Sequence, residues 1–127
     1  MLPFPVDLKL GLPVTEQILY SVKRAVVSGQ LKPGDKFPSI RQLSQELRIN
    51  PNTAQKVIAE LVNEGVLVTT PAVGSVVAER SVGPKQDRAQ LLGAELERVV
   101  VEAKKLGVSL DDIQANLVGH WKRIGGQ

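Results

Sequence analysis

The side chains best suited to chemistry lie in two short stretches, Ser39-Ile40-Arg41 and Asn50-Pro51-Asn52-Thr53-Ala54-Gln55-Lys56. They offer hydrogen bonding and positive charge rather than bond-making. Asparagine and glutamine pair bidentately with adenine, threonine meets a thymine methyl or a phosphate, and lysine and arginine reach guanine or phosphate. Groups that make and break bonds are scarce. The chain has no cysteine and a single histidine, His120, which leaves no thiolate or paired-histidine metal site. Asp111-Asp112 suits a helix N-terminus rather than a catalytic carboxylate pair. There is no phosphate-binding glycine loop, nucleophile elbow or metal-spaced cluster. The expectation is a protein that is not an enzyme and carries no metal or cofactor.

The polar stretches need elements that turn them outward. Pro13 opens a helical pattern in which Ile18, Leu19, Val22, Ala25 and Val26 recur from Thr15 to Ser28, with Thr15 as cap and Gly29 as stop. Leu31 to Pro38 contains the turn dipeptide Pro33-Gly34 and reads as a loop with room for one short strand. Ser39 followed by Gln42 forms a capping box for a second helix, whose Ile40, Leu43 and Leu47 share a face. Asn50-Pro51 starts a third: asparagine caps the free amides, and proline at the first helical position loses no hydrogen bond it needed. With Ala54, Val57, Ile58, Leu61 and Val62 facing inward, the remaining side chains Asn52, Thr53, Gln55 and Lys56 point away from the core. Val66–Thr70 and Ser75–Glu79 are β-branched runs around a turn of Pro71 to Gly74, which predicts a hairpin.

Two short helices joined by a tight turn and followed by a hairpin form a winged helix-turn-helix, which sets its second helix in a major groove. The fold class expected is mainly α with a small β-hairpin. It divides into a winged domain at 1–80, a linker at 81–85 around Gly83-Pro84, and a helical region at 86–127. In that last region Leu92, Leu96, Val99, Ala103 and Leu106 recur up to Gly107. Ser109 and Asp112 then cap a helix whose Leu110, Ile113, Leu117, Trp121 and Ile124 share a face. Two such helices make no core alone, so a partner surface is expected, and a second copy of the chain fits best.

Bulk composition permits this reading without demanding it. The 127 residues carry 16 basic and 13 acidic side chains, a net charge of +3. Neither the first 80 residues, with nine basic and seven acidic, nor the remainder, with seven and six, is a charged arm. DNA binding therefore rests on placement. The four aromatics Phe4, Tyr20, Phe37 and Trp121 are dispersed and make no stacking platform for single strands. With no signal-like start and no long apolar run, a soluble cytoplasmic protein with no membrane partner is expected.

Residues Pro13 to Glu79 resemble the DNA-binding domain of the GntR family of bacterial regulators. The resemblance lies in VTEQILYSVKRAVVSGQLKPGDKFPSIRQLSQELRINPNTAQKVIAELVNEGVL and the glycine-bearing wing. It implies that Arg41 of PSIR, the residues opening the third helix and the wing glycine Gly74 contact DNA. Many members carry arginine where this chain has Pro51 and Gln55, so those two base contacts do not transfer. NPNTAQK and the short tail resemble the YtrA-like branch, whose members append a two-helix dimerisation region. The expected DNA-binding set is Ser39, Arg41, Asn50, Asn52, Thr53, Gln55, Lys56 and Gly74. Each also has a plainer role open to it. Arg41 could be a solvated helix-surface arginine or pair with Glu46 or Asp35, and Lys56 could pair with Glu60. Asn50 is first a cap, and Gly74 serves the turn. The partners expected are double-stranded DNA, bound at an inverted repeat, and a second copy of the chain. An unknown small-molecule effector is left open, since no convergent polar set marks a pocket. A winged-helix module that only docks proteins is the alternative.

Overall fold

The computed structural model describes residues 2–79 and 85–124. It divides into two compact units, one within the first of these ranges and one within the second. Most of the expected 81–85 linker lies outside the described residues; Lys85 already opens a helix.

The first unit contains α1 (Val14–Ser28), α2 (Ile40–Leu47), α3 (Pro51–Asn63), β1 (Leu67–Thr70) and β2 (Gly74–Val77). Its core takes Ile18, Val22 and Ala25 from α1, Leu43 from α2, Ala54, Val57 and Leu61 from α3, and Leu67 and Val77 from the strands. The N-terminal segment is extended, and Phe4 enters that core by stacking on Phe37 with ring centroids 5.6 Å apart. At the end of α1, Gly29 adopts φ +88°. This left-handed conformation, costly for other residues, brings the Leu31 amide back onto the Ala25 carbonyl at 3.0 Å.

The start of α1 differs from expectation. Thr15 is already inside the helix, Pro13 occupies the cap position, and no side chain caps it. The side chain of Gln17 instead ties down the preceding loop. Its Oε1 accepts from the Lys9 amide at 2.7 Å, and its Nε2 donates to the carbonyls of Lys9 and Leu12, each at 3.0 Å.

The wing pairs antiparallel with Leu67 opposite Val77 and Thr70 opposite Gly74. Both strands are shorter than expected, and Gly74 opens β2 rather than closing the turn. Its φ of +99° is the conformation a glycine supplies without strain. A third extended segment borders β2: Lys36 bridges Val76, Phe37 N–H donates to the Ser75 carbonyl at 2.9 Å, and the Val77 amide donates to Asp35 at 2.8 Å.

In the second unit, α4 (Lys85–Gln90) runs through a π-helical segment (Leu91–Glu95) into α5 (Leu96–Leu106), and α6 (Leu110–Ile124) follows. The wide turn has Gly93 at its centre, a residue of low helix propensity. Gly107 ends α5, and Ser109 Oγ accepts from the Asp112 amide at 3.1 Å. Ala103 is the one fully buried hydrophobic residue in this unit among the described residues. Leu92, Val99, Leu106, Leu110, Leu117 and Trp121 stand half or more exposed. So do Leu91 and Val101, outside the stripe read from the sequence.

Candidate nucleic-acid interface

The interface begins with two helix starts. Ser39 is extended and its Oγ accepts from the Gln42 amide at 3.1 Å, opening α2. The box is half formed, because Gln42 Nε2 donates to Glu46 Oε2 at 2.8 Å instead of its side chain returning to Ser39. A carboxylate is the stronger hydrogen-bonding partner. Asn50 caps α3 by accepting from the Asn52 amide at 2.8 Å, while its carbonyl accepts from Thr53 and Ala54. Pro51 takes the first helical position.

These caps leave the expected side chains at the N-terminal ends of α2 and α3. Ser39, Arg41, Asn50, Asn52, Gln55 and Lys56 are exposed, and Thr53 is half-buried. Gly74 is exposed in the wing. The ion pairs open to the basic residues do not form, and Arg41 stands at the surface, as either a solvated or a DNA-contacting arginine would. Among the described residues Arg41 and Lys56 make no hydrogen bond or ion pair, while Asp35 accepts from the Lys32 amide and Glu46 from Gln42. Two unpaired cations therefore flank a neutral set of amide and hydroxyl groups. From Leu67 to Ala78 the wing holds no charged residue.

Arg48 and Ile49 make the turn between α2 and α3, as the sequence reads, and Arg48 carries its strain. It ends α2 at φ 55°, ψ 49°, in the left-handed region that costs a non-glycine residue about 1–2 kcal/mol. Ala72 at the wing tip is similar, with φ 65°. Neither residue type announces such a backbone, and only the shortness of the turns pointed to it.

Residues 14–77 match the family described as bacterial regulatory proteins, gntR family. The chain belongs to the GntR family. The HTH-type transcriptional repressor YtrA of Bacillus subtilis is 30% identical over 109 residues, which span 85% of this chain and 84% of the relative. The YtrA-like branch expected from NPNTAQK and the short tail is therefore where this GntR protein falls. A crystal structure of a transcriptional antiterminator from Listeria monocytogenes EGD-e superposes with a TM-score of 0.85 at 29% identity, covering 98% of this chain and 94% of that one. The DNA-binding domain of AraR, solved in complex with operator ORR3, aligns with a TM-score of 0.50 at 27% identity, over 58% of this chain and 89% of that domain. The GntR protein described here is a DNA-binding regulator of transcription, and a winged helix that only docks proteins is not favoured.

The remaining candidates are quieter. His120 accepts at Nδ1 from Arg123 one turn along α6, a surface contact between helix neighbours. Val99, Ala103, Leu106, Ile113 and Leu117 line an open groove between α5 and α6. No described helix is long and apolar enough to cross a membrane.

Proposed function

We propose that this GntR protein is a homodimeric repressor that binds an inverted-repeat DNA operator, with α3 of each protomer in a major groove about one helical turn, ~34 Å, from its mate. The observation that carries this reading is the N-terminal end of α3. It is capped by Asn50 and presents Asn52, Gln55 and Lys56 outward with no partner among the described side chains. Helix starts of this kind place amide groups at base edges, and the nearby arginine holds the phosphate backbone. Arg41 and Lys56 supply charge; Asn52, Thr53 and Gln55 supply base preference; Ser39, Asn50 and Gly74 bring backbone and small polar groups close.

The dimer is supported by the second unit. α5 and α6 leave Leu106, Leu110, Leu117 and Trp121 more than half exposed in the single chain. An apolar surface of that extent needs a cover, and a second copy provides one that also sets half-site spacing. The B. subtilis relative YtrA is named a repressor, which supports repression here as well. The cytoplasm, where operators lie in bacteria, is the compartment this function needs.

Selection of bound duplexes from a randomised pool, followed by binding of the recovered site to Arg41→Ala and Gln55→Ala, tests the reading. A symmetric site is expected. Arg41→Ala should weaken all sequences alike and reduce the salt slope by about 1 per protomer, whereas Gln55→Ala should flatten base preference at one position per half-site. An RNA copy of the site should bind far more weakly. Recovery of no duplex, or preference for the RNA, overturns the proposal.

A further inference from the structure

The loop before α1 is held more firmly than a chain terminus requires. Gln17 grips it by three hydrogen bonds, two to the backbone of Lys9 and one to the carbonyl of Leu12. The grip displays rather than buries. Lys9 and Gly11 are exposed, Leu10 is as open as in a free peptide at 103% relative exposure, and Leu12 stands at 54%. Gly11 turns with φ +85°. Among the described residues the amides of Leu10 and Gly11 donate to nothing, and the Lys9 ammonium has no ion pair. Exposed backbone amides of this kind are donors that a phosphate oxygen can take up.

The position of this loop follows from how α1 lies on α3. Lys23 of α1 bridges Glu64 of α3 at 2.6 Å. Thr15 and Leu19 of α1 share a shallow groove with Lys56, Ala59 and Glu60 of α3. Thr15 precedes Lys23 by eight residues and Lys56 precedes Glu64 by eight, so each step is about 12 Å along its helix. The helices therefore run parallel, Thr15 beside Lys56. The pinned loop, immediately before α1, sits at the end of the unit where α3 presents Asn52, Gln55 and Lys56.

We infer that the loop Lys9–Leu12 is a further DNA contact, in which the Lys9 ammonium and the free amides of Leu10 and Gly11 hold a backbone phosphate beside the groove entered by α3. Gln17 is its positioning residue. This rests on the DNA-reading role proposed for α3, and it adds one charged contact per protomer that the helix-turn-helix itself does not supply.

The test is titration of the recovered operator duplex at several salt concentrations with the wild-type chain, Lys9→Ala, Gln17→Ala and Arg24→Ala. Removing one phosphate contact reduces the slope of log affinity against log salt by about 0.9. Lys9→Ala removes one such contact from each protomer, so for the dimer on its operator the affinity lost between 50 and 200 mM salt should be about 12-fold smaller than for wild type. Gln17→Ala should weaken every sequence by a common factor and leave the ranking of sites unchanged, as expected of a backbone contact. Arg24→Ala removes an equal charge from the distant half of α1 and should leave the slope unchanged. Ethylation interference should lose one phosphate per half-site in Lys9→Ala. The inference is overturned if Lys9→Ala keeps the wild-type slope and interference pattern while Arg41→Ala loses its own contact. It is overturned equally if Arg24→Ala lowers the slope as much as Lys9→Ala, because bulk charge then explains both. A wild-type chain that binds no duplex overturns the DNA-reading role beneath it as well. Should Gln17→Ala not fold, Lys9→Ala at its exposed position decides the matter.

Discussion

Two substitutions of Asn50 separate the folding role of the α3 cap from its place at the DNA. Asn50 Oδ1 accepts from the Asn52 amide at 2.8 Å, and the Asn50 carbonyl accepts from Thr53 and Ala54 at 2.9 and 3.1 Å. Asn50→Ala removes only the side-chain bond, since the carbonyl belongs to the backbone. Loss of such a cap costs about 1 kcal/mol, and in a unit of this size that lowers Tm by about 4–8 °C. Asn50→Asp keeps an acceptor in place and adds a charge that a helix N-terminus favours by about 0.3–1 kcal/mol, so it should melt at or above the wild-type temperature. On DNA the order reverses. A carboxylate about 6 Å from a phosphate at a partly screened surface is disfavoured by roughly 1–3 kcal/mol, a weakening on the order of 10-fold or more that shrinks as salt is added. Asn50→Ala should bind more nearly like wild type. Thermal unfolding at one fixed protein concentration and fluorescence anisotropy across a salt series measure both quantities. If Asn50→Asp binds as tightly as wild type at low salt, Asn50 does not face the phosphates and is a cap alone. An unchanged Tm for Asn50→Ala would remove the cap from the stability argument.

Arg48→Gly should stabilise the protein. Relief of the left-handed backbone, about 1–2 kcal/mol, exceeds the entropy glycine adds to the unfolded chain, about 0.4–1 kcal/mol, and a rise of a few degrees in Tm is expected. A lower Tm would show that the Arg48 side chain makes a stabilising interaction of its own. For the tail, Leu117→Glu and Trp121→Glu alter side chains that are 56% and 65% exposed in the single chain. They should leave the fold intact by circular dichroism while weakening self-association on the order of 100-fold, the loss of a buried interface anchor. Dimers of wild-type strength in sedimentation would place the interface elsewhere.

Much of the fold was legible because its punctuation is local. Ser39, Asn50-Pro51, Gly29 and Gly107 each act on amides or carbonyls within a few residues, and such chemistry is written in the adjacent sequence. The hairpin was legible for the same reason, through β-branched runs around Pro71 to Gly74. What escaped depends on longer reach or on competition. The start of α1 is governed by Gln17 gripping Lys9, eight residues back, and no capping rule looks that far. Gln42 had two uses, and Glu46 took it. The π-helical segment at Leu91–Glu95 is a change of pitch inside an otherwise regular apolar pattern. Of the binding site, residue type and exposure followed once the buried face of α3 was known. The loop Lys9–Leu12 did not, because its position depends on how α1 packs against α3.

The distribution of charge connects the reading helix to the tail. Arg41, Lys56 and Lys9 are the three unpaired cations assigned to phosphate; among the described residues Arg48 in the turn and Lys36 beside β2 are unpaired as well, and the wing strands carry no charge. Three phosphate contacts give one protomer a salt slope near −3, so about 40-fold in affinity disappears between 50 and 200 mM salt. Two protomers double the slope to about −5, and the same change of salt costs on the order of a thousandfold. A single protomer therefore has little electrostatic attraction to draw on, and its base contacts are neutral amide and hydroxyl groups worth about 1–3 kcal/mol per good pair. Neither resource alone gives a tight, selective complex. Joining two such modules makes the second encounter intramolecular and multiplies affinity by the effective concentration. A chain with so modest a net charge can then be specific, provided that the apolar faces of α5 and α6 hold the pair together. On the dimeric reading proposed above, the exposed leucines of the tail and the uncharged side chains opening α3 belong together: the less the reading helix relies on charge, the more it depends on the dimer.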